Sequence, residues 1–142
     1  MKDPAGAVRS WLYGVLNTHV TYGGANVPVY SFVPKDAAKP YIYLAEQSSP
    51  AEDGTKDCYI TKHNFTIEIY TSHSGNDGSY IPVNTISDSV LQLVRTRTKI
   101  TGLTGFNVVS ATVESILTGS VDNDTDILIY KIINIILTIA EE

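Results

Sequence analysis

The groups in this chain that could carry chemistry are three histidines, one cysteine and several sets of carboxylates. His73 is the most suggestive. It sits in the run SHSGNDGS (72–79), which gathers Ser72, Ser74 and Asp77 near an imidazole, the residue types of a nucleophile and its general base. Short polar loops carry the same residues routinely, and that is the simpler reading. His19 and His63 complete no metal-ligand spacing of the helical or finger kind. His63, in a strand beside Phe65, reads as a core residue. Asp122, Asp124 and Asp126 alternate like the start of a calcium loop. Ile127 stands where that loop needs glycine, however, and its closing carboxylate position falls on Ile133. A polar hairpin tip accounts for the three better. Cys58 has only Lys56 and Lys62 nearby to favour a thiolate. The sequence has no GxSxG elbow and no phosphate-binding glycine loop. The expectation is a protein that is not an enzyme, with no catalytic residue, no metal and no cofactor.

Charge points the same way. The net formal charge is −5, from 10 basic and 15 acidic residues. Arg95, Arg97 and Lys99 are the nearest approach to a basic patch, and they read as a solvated helix end where cations suit the macrodipole. Gripping phosphates takes more positive charge than that, so DNA binding is not expected as the main task. Glu46, Glu52, Asp53 and Asp57 cluster in or beside one loop, which reads as solvated charge or as an acidic contact surface.

These groups must be positioned by a chain of 142 residues, 43% apolar and 18% charged, a length and composition that fit one domain over residues 1–142. No apolar run is long enough for a membrane-spanning helix, and Met1-Lys2-Asp3-Pro4 lacks the features of a secretory signal. A single cysteine excludes an internal disulfide and suits a reducing cytosol.

Asp3-Pro4 reads as a helix start, and Val8, Trp11, Leu12, Val15 and Leu16 form one apolar stripe after it. Gly23-Gly24 ends that unit. Val27 to Val33 reads as a strand with Pro28 at its start, and Tyr41 to Ala45 as a second strand. Residues 48–57 (SSPAEDGTKD) form a polar loop. Cys58 to Thr71 is the clearest strand: Phe65, Ile67 and Ile69 face one way, Lys62, Asn64, Thr66 and Glu68 the other. Ile81 to Thr96 returns to helical spacing, with Val83, Ile86, Val90, Leu93 and Val94 aligned and Pro82 in the first turn. Asn107 to Thr118 alternates, with Val109, Ala111, Val113 and Leu117 expected on one face. Ile127 to Ala140 is a last strand, apolar on both sides apart from Lys131, Asn134 and Thr138. The predicted fold is α+β: an antiparallel sheet of about five strands, two helices packed on one face, and a long C-terminal hairpin.

Three of the strands reach about twelve to fourteen residues, so a thirteen-residue one spans about 43 Å. A domain of this size is about 40 Å across. The long strands must therefore cross the whole domain or project from it. The last strand is apolar on both faces, so its second face needs cover, from within the monomer or from a neighbouring subunit. Leu128, Tyr130 and Ile132, alternate residues on one side of it, are the candidate subunit-facing residues.

The succession of segments VRSWLYGVL, KPYIYLAEQ, TKHNFTIEIYT, YIPVNTISDSVLQLV and DILIYKIINIILTI resembles the tail-completion (tail terminator) proteins of tailed bacteriophages. The resemblance spans nearly the whole chain as a pattern of segments. It implies a structural virion protein, assembled in the host cytoplasm and located at the head-proximal end of the tail. There it would form a hexameric ring that caps the tail tube protein and joins it to the neck or connector protein, with genomic DNA passing through unbound. The loop bearing Glu52, Asp53 and Asp57 and the tip bearing Asp122 and Asp124 become candidates for contacts along the tail axis. The alternatives are a head-tail connector of the neck, or a small ligand-binding or hydrolytic domain using the His73 loop.

Overall fold

The computed structural model describes residues 5–48, 60–74, 79–94, 103, 105–122 and 125–141, with the backbone alone at 46–48. The first helix, α1, is Ala5–Leu16, and its stripe buries Val8, Leu12 and Leu16. Thr18 takes a left-handed conformation (φ 66°) after its last turn. Gly23 and Gly24 then do more than end a unit. Both have positive φ, 64° and 82°, as a two-residue hairpin turn demands, and glycine adopts this without strain. They join two short strands, β1 (Thr21–Tyr22) and β2 (Ala25–Asn26). Val20 and Val27 close the base of this hairpin through a 2.8 Å backbone hydrogen bond and are both buried.

The expected strand over 27–33 contracts to β3, Val29–Tyr30. Pro28 has no N–H to give, although its carbonyl accepts the amide of Ile42 at 2.8 Å. β3 runs parallel to β4 (Tyr41–Ser48), so the sheet is mixed and not wholly antiparallel as expected. The other pairings are antiparallel, among β4, β5 (Ile60–Ser74), β7 (Asp126–Glu141) and β6 (Phe106–Asp122), in the order β3-β4-β5-β7-β6. The second helix, α2 (Ile81–Val94), starts where Ser79 Oγ accepts the amide of Ile81 at 3.2 Å, supplying one of the first turn's unpaired donors with an acceptor. Pro82 sits in that turn, as expected.

Both helices cover the same face of the sheet. Their buried residues join Ile42, Leu44, Phe65, Ile67, Ile69, Ile129, Ile133, Ile135, Leu137 and Ile139 in one core. Arg9 ties α1 to β4. Its guanidinium donates to the carbonyls of Leu44 (2.9 Å) and Ala45 (3.2 Å), where a bulge between Leu44 and Gln47 interrupts pairing with β5. Buried polar groups are matched as well. Thr61 Oγ1 lies 2.6 Å from Nε2 of His63, which is buried in the core against Phe65 as its sequence context suggested. Among the described residues, every buried side-chain nitrogen or oxygen has a hydrogen-bond partner.

The long strands are longer than expected: β5, β6 and β7 hold 15, 17 and 16 residues. At about 3.3 Å per residue the hairpin β6–β7 is about 55 Å long. β6 departs from simple alternation. Register shifts at Val108/Ser110 and Val113/Ser115 each add one residue and reverse which side chains face the core. Val108, Ala111 and Val113 therefore pack on the core, while Val109 and Leu117, expected on the same face as Ala111 and Val113, are 42% and 57% exposed.

Candidate functional site

The face of the sheet opposite the helices carries three adjacent rows of apolar and aromatic side chains. In a strand, alternate residues share a face, so register alone fixes these rows. One row runs Tyr43–Glu68–Ile132–Leu117 across β4, β5, β7 and β6. The next runs Tyr41–Tyr70–Tyr130–Gly119, and a third is Ser72–Leu128–Val121. On the side away from the hairpin tip the same face turns polar. There Thr66 donates to Asn134 Oδ1 (2.9 Å), and Asn134 Nδ2 donates to Ser115 Oγ (2.8 Å). Farther on, Lys62 and Thr138 face Ser110.

The middle row is a continuous aromatic ladder. Tyr30 meets Tyr41 edge to face at 5.8 Å between ring centres, Tyr41 meets Tyr70 at 5.3 Å, and Tyr70 meets Tyr130 at 6.2 Å. It ends on Gly119 of the outermost strand, where the Tyr130 ring lies over the backbone and fills the space a Cβ would occupy. Tyr70 donates its hydroxyl proton to Glu68 Oε1 at 2.9 Å. Partial burial, that hydrogen bond and the carboxylate charge push the Tyr70 phenol well above its ordinary pKa. Burial, with Glu68 and Tyr30 nearby, raises Tyr41 as well. Both stay neutral at physiological pH.

β6 is the edge of the sheet. Its residues from Ser115 to Asp122 pair regularly with β7 on one side, and their other side carries no strand among the described residues. This half lies beyond both bulges, contains no proline, lysine or arginine, and exposes Ile116, Leu117 and Val121 at 47%, 57% and 44%. Edges built this way invite pairing with another chain, because from Ser115 to Val121 neither a charged residue nor a kink guards them. At the opposite margin Phe32, in the turn after β3, is 86% exposed.

The residues singled out from sequence fall into three groups. Leu128, Tyr130 and Ile132 all lie on the open face, one in each row and each half-buried. Asp122 is exposed at the end of β6, and Asp126 accepts a 3.3 Å hydrogen bond from Ser72 Oγ. Glu52, Asp53, Asp57 and Asp124 lie outside the described residues, as do Cys58, Asp77, Arg95, Arg97, Lys99 and the side chain of Glu46.

The expected His73 loop is corrected. Ser72, His73 and Ser74 belong to β5, so His73 points to one face and both serines to the other. Thr71 gives its proton to the Ile129 carbonyl at 2.9 Å, leaving its oxygen to accept from His73 Nε2 at 3.3 Å. Strand geometry turns Ser72 and Ser74 away from the His73 ring. Among the described residues no three His, Cys, Asp or Glu side chains gather as metal ligands. The tyrosines were visible in the sequence as single residues; their alignment follows from the register of four strands and has no local signal.

No family model matches this chain, and no curated protein matches it. Among solved structures it is similar to a chain in the virion of a native gene transfer agent particle. The TM-score is 0.57 at 16% identity, over 95% of this chain and 91% of that one. The likeness is one of fold.

Proposed function

We propose that this protein is a structural component of a virion: a tail-completion protein that closes into a ring, caps the tail tube and joins it to the neck. The observation that carries this reading is the apolar hairpin half. Leu117, Val121, Leu128 and Ile132 share one face that no described element covers, beside a long strand edge with no described neighbour. Such a surface is costly to leave in water and is suited to pairing with another subunit. If the contact joins one patch to a different patch on the next copy, rotation about an axis closes the series and stops growth. The fold likeness to a chain of the gene transfer agent virion supports the virion reading. The net charge of −5 suits a conduit that lets DNA pass without holding it.

Contacts along the tail axis are assigned to the polar sequence 48–57 and to Asp122 to Asp126. The test is assembly of the cognate tail-tube protein with and without this chain. Rings at one end of tubes of limited length are the expected result by electron microscopy. A variant lacking residues 48–57 should still fold but should leave tubes uncapped. Tubes of unchanged length and bare ends in the presence of the wild-type chain would refute capping.

A further inference from the structure

The open face is not uniform: its β6–β7 side is aliphatic, and its β3–β5 side is built from tyrosine around one carboxylate. We propose that this tyrosine-lined side, with Glu68 at its centre, binds an arginine side chain presented by a partner protein other than a second copy of this chain.

Of the nine tyrosines in the chain, Tyr30, Tyr41, Tyr43, Tyr70 and Tyr130 share this face. An interface that needed only apolar area would be served by the aliphatic residues used next to it. Aromatic rings add a negative face that attracts a cation, and a planar guanidinium stacks on them better than an ammonium does. Glu68 supplies the countercharge. Register sets it beside Tyr43 on β4 and Ile132 on β7, with Thr66 and Tyr70 flanking it on its own strand. Tyr70 holds Oε1 through the 2.9 Å hydrogen bond and so fixes the carboxylate, leaving Oε2 for an incoming donor.

No cation of this chain answers Glu68 among the described residues. Lys131 lies on the other face and donates to Asn84 Oδ1 at 2.7 Å, Arg9 serves β4 carbonyls, and Lys62 sits at the polar end of the sheet. A half-buried carboxylate in an otherwise uncharged band disfavours a purely apolar partner and favours a cationic one. The acidic balance of the whole chain adds to the same preference.

This inference rests on the open face being a contact surface, and it is tested without relying on ring formation. The ring signals of the tyrosines are followed by NMR at low salt while N-acetyl-arginine amide is added to the full chain. N-acetyl-citrulline amide, its uncharged counterpart, is the control. The expected result is saturable shifts of Tyr41, Tyr43 and Tyr70 with the arginine probe, none of that size with citrulline, and no response from Tyr13 or Tyr80. Glu68→Gln should weaken the response about tenfold, the scale of one lost charge-assisted contact. Equal responses to the two probes, or an unchanged response in Glu68→Gln, would overturn the proposal.

Two variants separate this from the ring reading. Leu117→Asp should keep the arginine response while losing assembly, and Glu68→Gln should keep the oligomeric mass of the wild type. Dissociation of the oligomer by Glu68→Gln would assign the site to a second copy and overturn the choice of partner.

Discussion

The two faces of one sheet are built from the same strands and yet differ in kind. On the helix-covered face, Ile42, Ile67, Ile69 and Ile133 are wholly buried. On the other face, Tyr43, Tyr70, Tyr130 and Ile132 are only half-buried, though they alternate with those residues along the same backbones. A monomer that needed only to fold would place lysine, glutamate and threonine there, as the chain does at its far end with Lys62, Thr66 and Asn134. The band of tyrosine and aliphatic residues near the hairpin suits the proposed assembly, while the covered face supplies stability. Substitutions on the two faces should separate these roles.

The largest effect is expected on the covered face. Ile67→Ala removes a fully buried side chain from the central strand, and urea unfolding should show a loss of about 2–5 kcal/mol with little repair by relaxation. Next is Arg9→Ala, which strips two carbonyls at the β4 bulge of charged donors. A loss of about 1–3 kcal/mol is expected in the same assay. Gly119→Ala, on the open face, puts a methyl group where the Tyr130 ring lies. The ring must swing away, at a cost of about 1 kcal/mol. In a double-mutant cycle with Tyr130→Ala the two losses should not add, because the second change removes the obstacle.

Alkaline pH should act on the open face through Tyr70 and Tyr41. The folded chain holds the phenolic protons of Tyr70 and Tyr41 more tightly than the unfolded chain does. Their contribution to stability is therefore fully present below the unfolded phenol pKa of about 10 and is lost as pH climbs above it. Tyr70→Phe should flatten that decline in unfolding experiments between neutral and strongly alkaline pH. The smallest effect on stability is expected from Leu117→Asp, within about 0.5 kcal/mol of wild type, because the side chain is already in water in the monomer.

The covered face was largely legible in the sequence. Phe65, Ile67 and Ile69 alternate with polar residues over a strand long enough for the period to declare itself, and both helices show one stripe. The hairpin β1–β2 was hidden because its strands are two residues each, too short for any periodicity. β6 was misread where bulges reverse its alternation, since the extra residues at Val109 and Glu114 look like any others. The parallel pairing of β3 depends on a distant strand and has no local mark. The open face lay between these cases. Leu128, Tyr130 and Ile132 could be singled out because the last strand is apolar on both sides, but the tyrosine ladder and the place of Glu68 within it exist only once four strands are in register.

The most direct test of the difference between the faces is native mass spectrometry of the wild-type chain and of Leu117→Asp over a range of concentrations. A discrete closed oligomer for the wild type, and a folded monomer for the variant, is the predicted result. An oligomer of the same mass in both, or a wild-type chain that stays monomeric at every concentration, would contradict the assignment of the hairpin's open face to subunit contact.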